Sequence, residues 1–111
     1  MSRFRTALDG TVNAVGQAIV AIEAGDFPDR ELHYLRQHLL DTLAIVERDP
    51  GIEAAVADLY AAATALAIAQ SRTRGPRHDR EERTAHDAFL RLRRRLSAAM
   101  PNEASRSLDV A

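Results

Sequence analysis

Residues 49–71 read DPGIEAAVADLYAAATALAIAQS, and this stretch decides the fold class. Its apolar stripe recurs at alternating spacings of four and three, the period of one face of an α-helix. The stripe consists of Ile52, Val56, Leu59, Ala63 and Leu66. Asp49 is a good N-cap, and Pro50 suits the first helical position because the N–H that it lacks would have no partner there. The stretch therefore predicts a helix that begins at Pro50 and runs to about Ser71.

Three further segments show the same helical period. The first ends at Gly25, and its stripe is Phe4, Leu8, Val12, Val15, Ile19 and Ile22. The second runs from about Asp29 to Arg48 with Asp26 or Asp29 as its N-cap, and its stripe is Leu32, Leu35, Leu39, Leu43 and Val46. The last runs from about His78 to Met100 before Pro101, and its stripe is Ala85, Phe89, Leu92, Leu96 and Met100.

The connections between these segments predict how the helices are arranged. No run of alternating β-branched residues competes with the helical pattern, so strands are not expected. Short connectors favour antiparallel neighbours. A chain of 111 residues fits one domain. We therefore expect an all-α, up-down-up-down four-helix bundle over residues 1–100 and a polar tail over residues 101–111.

Composition excludes several classes of site. The chain has no cysteine, which rules out disulfides, thiolate metal sites, iron–sulfur clusters and a cysteine nucleophile. The longest uncharged runs, residues 10–22 and 59–71, are shorter than the roughly 18–20 residues of a membrane span. All of the basic residues are arginine, which is typical of a GC-rich bacterial genome. We expect a cytoplasmic protein.

The third helix carries unusually little charge. Glu53 and Asp58 are its only charged residues, whereas a surface helix of a monomeric bundle has a charged outer face. Its predicted outer face consists of Tyr60, Ala61, Ala62, Thr64, Ala65, Ile68, Ala69 and Ser71. This face indicates a homodimer formed through the third helix. The alternative is an exposed, alanine-rich helix with a high intrinsic helix propensity.

The charge of the chain is divided between its two parts. Residues 1–71 carry five arginines and ten acids, a balance of −5, whereas residues 72–95 carry nine arginines and four acids, a balance of +5. The basic segment is expected to meet an acidic surface of its own fold, a second subunit or another protein. The candidate partner-binding residues are Tyr60, Ala61, Thr64, Ala65, Ile68, Arg83, Arg91, Arg94 and Arg95. Nucleic acid binding by the Arg72–Arg95 face is an alternative, although no aromatic residue outside the core stripe interleaves with these arginines.

We expect no metal site, because solvated or helix-capping residues explain this pattern, but three residues of the fourth helix are the alternative candidates for one. His78, Glu82 and His86 are four residues apart and project from one side of the helix. Imidazole and carboxylate groups in this arrangement can begin a metal site in a helical bundle, with further ligands from a facing helix. His33 or His38 of the second helix could complete it.

The spacing of Arg80 and His86, with five residues between them, resembles the R-x(4–6)-H signature of the HEPN family. Members of that family are four-helix domains of about this length, often RNases. The resemblance implies that Arg80 and His86 would flank an RNA phosphate across a dimer groove.

The chain has no Gly-x-Ser-x-Gly motif and no glycine-rich phosphate loop. We therefore expect a non-catalytic interaction or regulatory module, with no cofactor, rather than an enzyme.

Overall fold

The computed structural model describes residues 3–25, 27–70 and 76–103, and the side chains of residues 76 and 77 lie outside this description. Within these residues the chain is all-helical, with no strand. The helices are α1 (Arg3–Ala24), α2 (Pro28–Ile45), α3 (Pro50–Gln70) and α4 (Pro76–Leu96). The prediction of an all-α chain with four helices is therefore confirmed.

The second helix ends earlier than its apolar stripe predicts. Val46 leaves the helix with φ −99° and ψ 152° and pairs with Pro101 in an isolated antiparallel bridge. The N–H of Glu47 donates to the carbonyl of Met100 at 2.7 Å, and the N–H of Asn102 donates to the carbonyl of Ile45 at 3.0 Å. The start of the predicted tail therefore lies against the end of α2, and residues 104–111 lie outside the described chain.

The helix starts agree with the sequence at α3 and differ at α2. Oδ1 of Asp49 accepts hydrogen bonds from the N–H groups of Gly51 at 2.7 Å and Ile52 at 3.3 Å, so Asp49 caps α3 as predicted. At α2 the N-cap is Phe27, with φ 50° and no side-chain cap. Asp29 lies inside the first turn and Asp26 lies outside the described residues. Pro28 lies at the start of this helix, where its restricted φ suits the first helical position.

One hydrophobic core joins all four helices. Its most completely buried large side chains are Leu8, Ile19, Ile22, Leu35, Leu59, Leu66 and Leu92. Met100 was predicted to extend the stripe of α4, but its side chain is 58% exposed. Because α4 ends at Leu96, the helical period no longer applies beyond that residue, and Ala99 is buried instead.

The third helix packs against all three of the other helices, most closely against α4. It buries Ala62, Ala63, Ala67 and Ala69 against these neighbours. Ala62 and Ala69 were predicted on the outer face, and that placement is wrong. Small side chains let the neighbouring backbones approach closely. The contacts of α3 within the chain therefore explain in part why this helix has so few charged residues.

Contacts along α1 and α4 show that these helices run in opposite directions. Arg5 lies beside Leu96, a Cβ added at Gly16 would lie 3.2 Å from Cζ of Phe89, and Glu23 contacts His86. The two helices nevertheless touch only sparsely, whereas α1 packs closely on α2 and α3 on α4. The sparse contact leaves a groove between α1 and α4.

Candidate functional site

The groove between α1 and α4 contains two adjacent cavities of about 650 Å³ and about 390 Å³. Val12, Asn13 and Arg93 line both cavities. The larger cavity is also lined by Arg5, Leu8, Asp9, Leu90, Arg94, Leu96 and Ser97. The smaller cavity is also lined by Gly16, Gln17, Ile19, Val20, His86 and Phe89. Together they form one continuous groove, which we call the α1–α4 groove.

The α1–α4 groove combines apolar and basic groups. Val20 and Leu90, on opposite helices, are 59% and 45% exposed, unusually high for large aliphatic side chains. Arg93 and Arg94 stand exposed on the α4 side. Among the described residues that line the two cavities, Asp9 is the only acid. The groove therefore suits an occupant that is both apolar and negatively charged.

Polar contacts tie α1 to α4 at both ends of the groove. At one end, the Arg5 guanidinium donates to the carbonyls of Leu96 at 3.2 Å and Ala99 at 2.8 Å. A cation at this position also interacts favourably with the negative end of the α4 dipole. At the other end, Oε1 of Glu23 contacts Nε2 of His86. The two helices are therefore joined at both ends of the α1–α4 groove, and the groove is open between these ends.

The predicted residues of α3 are divided between the surface and partly buried positions. Ala61 is exposed and Ile68 is 49% exposed, whereas Tyr60, Thr64 and Ala65 are half-buried. The Thr64 hydroxyl donates to the carbonyl of Tyr60 at 2.8 Å, which satisfies it within the helix. Among the described helices, α3 alone is long and apolar enough by composition to cross a membrane. Half of the residues in its apolar 18-residue stretch are buried inside the protein.

The predicted arginines of α4 are all exposed, and Arg94 and Arg95 lie toward different neighbouring helices. Arg94 lines the α1–α4 groove. Arg95 points to the α3 side, where a Cβ added at Gly51 would lie 2.5 Å from its Nη1. Arg83 and Arg91 are exposed on the same helix. Arg72 and Arg74, and the side chain of Arg77, lie outside the described residues.

A cluster of imidazole and carboxylate groups lies where the C-terminal end of α1 meets α4. Ligand atoms of Glu23, Glu82 and His86 lie within 4.8 Å of one another, and so do those of His78, Asp79 and Glu82. We call Glu23, His78, Glu82 and His86 the His–Glu cluster. The structure therefore places His78 and His86 in two different groups that share Glu82, and it does not bring all three metal-site candidates of α4 to one point.

Glu23 was missed by sequence reasoning, which expected His33 or His38 to complete this site. Neither histidine belongs to a potential ligand group among the described residues. Glu23 follows the buried Ile22, so the helical period alone leaves it at the edge of the core. Its proximity to α4 depends on the antiparallel pairing of α1 with α4, which no local signal contains.

Burial perturbs the Glu23 carboxyl. Desolvation raises its pKa above the ordinary value, the His86 imidazole opposes that effect, and the Glu82 carboxyl adds to it. The side chain is only 16% exposed. The carboxyl is therefore held in an environment that disfavours its charge unless a cation lies nearby.

The two residues that resemble the HEPN signature have different surroundings within the chain. Arg80 is exposed, whereas His86 contacts the carboxyl of Glu23, with Glu82 beside both groups. Carboxylates at this position would repel a phosphate. Comparison with family models, curated proteins and solved structures finds no match to this chain.

Proposed function

We propose that this chain is a non-catalytic protein-interaction module whose α1–α4 groove binds an acidic amphipathic helix of a partner protein. In this proposal the four helices form an up-down-up-down bundle, and two copies pair through α3. The observation that carries the proposal is the continuous groove, with exposed apolar residues and two arginines on one side.

The dimensions of the groove support a helix as the occupant. Its lining on α1 extends from Arg5 to Val20, roughly 22 Å at about 1.5 Å per residue. A helix of about 15 residues has that length. Such a helix would set apolar side chains at i, i+3, i+4 and i+7 against Val12, Phe89 and Leu90, the usual mode of helix-in-groove recognition.

The charge of the groove supports an acidic partner. Arg93 and Arg94 flank it, and Asp9 is the only described acid that lines it. Complementary charge at the rim of an interface raises the association rate and disfavours partners of the wrong sign. An acidic helix would therefore be selected over a basic one.

A peptide titration tests this docking. The probe is a fluorescent helical peptide of about 15 residues with leucine at the anchor positions and glutamate elsewhere. We expect saturable binding that weakens with salt, and a loss of about tenfold or more in Arg93→Glu/Arg94→Glu, since each rim charge would repel the probe. Arg36→Glu, at an exposed site on α2, is the matched control.

Three outcomes would contradict the docking proposal. The first is equal binding of a scrambled peptide of the same composition, because the apolar stripe would then not be recognised. The second is binding that the double charge reversal leaves unchanged. The third is tighter binding of an RNA oligonucleotide than of the peptide at the same salt concentration, which would favour a nucleic-acid-binding function for the arginines of α4.

The outer face of α3 supports self-association. Ala57 and Ala61 are exposed, and Ala65 continues the same four-residue spacing. Ile68 extends this row with a 49% exposed side chain, and no charged residue occurs between Leu59 and Gln70. The same face from two copies would form a self-complementary contact around a two-fold axis.

Sedimentation of the full chain tests the dimer. Ala61→Glu introduces a charge at an exposed position, so the monomer should fold while a dimer through α3 should dissociate. Ala7→Glu, at an exposed position of α1, is the control for helix propensity and net charge. A wild-type chain that sediments as a monomer at micromolar concentration would refute the dimer, and so would an Ala61→Glu chain that remains dimeric.

A further inference from the structure

We infer that the partner helix lies in the α1–α4 groove in a single direction, parallel to α4, with its acidic residues concentrated in its C-terminal half. This inference rests on the proposed docking of a helix in the groove. It adds the direction of that helix and the placement of its charges, which the docking alone leaves open.

One end of the α1–α4 groove is basic. The larger cavity lies between the N-terminal end of α1 and the C-terminal end of α4, and Arg5, Arg93 and Arg94 line it together with Asp9. Three arginines and one aspartate leave an excess of two positive charges. We call this part of the groove the arginine end.

The opposite end is acidic. His86 lines the smaller cavity, and its imidazole lies within 4.8 Å of the carboxylates of Glu23 and Glu82. The Glu82 side chain is 40% exposed, so solvent reaches its charge. Residues 78–87 of α4 together with Glu23 contain five acids and two arginines, a balance of −3 with both histidines neutral. Protonation of both imidazoles would still leave this end negative.

The apolar lining does not select a direction. Leu8 and Leu90 line the larger cavity, whereas Ile19 and Val20 line the smaller one. Each half of the groove therefore offers aliphatic contacts, and an apolar stripe at i, i+3, i+4 and i+7 can lie against them in either direction.

The dipoles of α1 and α4 do not select a direction either. Arg5 donates to the carbonyl of Leu96 at one end, and Glu23 contacts His86 at the other, so the two helices run antiparallel. Dipoles of antiparallel helices oppose each other along the groove between them. The charged side chains at the two ends therefore decide the direction.

A docked helix responds to these charges through its own dipole. Its N-terminus carries about half a positive charge and its C-terminus about half a negative charge. Parallel to α4, the docked helix places its C-terminus at the arginine end and its N-terminus near Glu23 and Glu82, so both contacts are favourable. The reverse direction makes both unfavourable. Acidic side chains in the C-terminal half also reach the arginines, whereas in the N-terminal half they would lie near Glu82.

Two peptides of identical composition test the direction. Both have about 15 residues, capped termini and leucine at the anchor positions. The first carries glutamates in its C-terminal half and glutamines in its N-terminal half, and the second has the reverse arrangement. A hydrocarbon staple on the solvent-facing side matches their helicity, because glutamates near an N-terminus stabilise a free helix.

The first peptide should bind the full chain about fivefold more tightly than the second, since its charges and its dipole both match the groove. Glu82→Gln should reduce this difference, because it removes a charge from the acidic end. Asp41→Asn, at an exposed position of α2, is the matched control and should leave the difference unchanged.

A nitroxide attached to either end of the first peptide reports the direction itself. At the C-terminus it should broaden the amide resonances of Asp9 and Ser97, which line the larger cavity. At the N-terminus it should broaden those of Val20 and His86, which line the smaller cavity.

The outcomes separate the direction from the docking. If neither peptide binds, the proposed docking fails and the direction fails with it. Equal affinity of the two peptides, or equal broadening at both ends of the groove, would overturn the direction alone and leave the docking intact. Tighter binding of the second peptide would also overturn the direction.

Discussion

Gln70, the last residue of α3, donates a hydrogen bond from its Nε2 to the backbone carbonyl of Glu23 at 2.5 Å. The two residues are 47 positions apart in the chain. The bond satisfies one of the carbonyls that the end of α1 leaves without a helical partner. It also places the C-terminal ends of α1 and α3 together. One side chain of α3 thus holds the residue that α1 contributes to the His–Glu cluster.

Replacement of Gln70 by alanine should destabilise the chain by about 1 kcal/mol, because the carbonyl of Glu23 loses a partly buried partner. For a domain of this size that loss corresponds to a melting temperature lower by roughly 4–8 °C. Thermal unfolding followed by circular dichroism measures it. Gln37→Ala, at an exposed position of α2, is the control and should change the melting temperature little. Equal effects of the two substitutions would contradict the capping role.

Replacement of Arg5 by alanine should lower the free energy of unfolding by about 1.5–3 kcal/mol. It removes two charged hydrogen bonds, to the carbonyl of Leu96 at the end of α4 and to the carbonyl of Ala99 just beyond it. Urea denaturation gives the free energy of unfolding directly. Arg36→Ala removes an exposed arginine from α2 and serves as the reference. If both variants unfold at the same urea concentration, Arg5 does not hold α1 to α4.

The two glycines inside α1 should respond oppositely to substitution. Nothing lies within 4 Å of a Cβ added at Gly10, so Gly10→Ala should stabilise the chain by about 0.5–1 kcal/mol through helix propensity. A Cβ at Gly16 would lie 3.2 Å from Cζ of Phe89. Gly16→Val should therefore destabilise the chain by about 1 kcal/mol after the gain in propensity. A stabilising Gly16→Val, measured by thermal unfolding, would show that α1 does not approach Phe89 so closely.

Substitution of Glu23 by glutamine should change the pH dependence of stability. Burial raises the pKa of the Glu23 carboxyl in the folded chain, so its contribution to stability is present at low pH and is lost as the pH rises through that pKa. Glutamine does not titrate. The stability of Glu23→Gln relative to wild type should therefore increase from about pH 4 to about pH 7. Urea denaturation across that range measures the difference, and a relative stability that falls as the pH rises would contradict it.

Much of the helical structure could be predicted from local signals. The stripe of α3, the cap at Asp49 and the start at Pro50 are local properties of a few neighbouring residues. Where a boundary depends on a distant part of the chain, prediction fails. Val46 continues the apolar period of α2 but leaves the helix to pair with Pro101. A helical period depends only on neighbouring residues, so it cannot indicate a pairing partner more than fifty residues away.

The candidate site was predictable only in part for the same reason. The spacing of His78, Glu82 and His86 placed them on one side of α4 without any knowledge of the fold. Glu23 entered the His–Glu cluster only because α1 runs antiparallel to α4. The α1–α4 groove, too, depends on how closely two helices approach, and Gly16 and Phe89 face each other at one point of that approach.

By itself the sequence determined that this protein is all-helical and which face of each helix is apolar, since helix formation depends on the period and caps of contiguous residues. Only the tertiary structure decided which helices approach and which leave a groove. It placed α3 against all three of the others, so that alanines expected at the surface, such as Ala62 and Ala69, are buried. The physical reason is that the distance between two helices is set by side chains from distant segments, and that distance decides which small residues are covered.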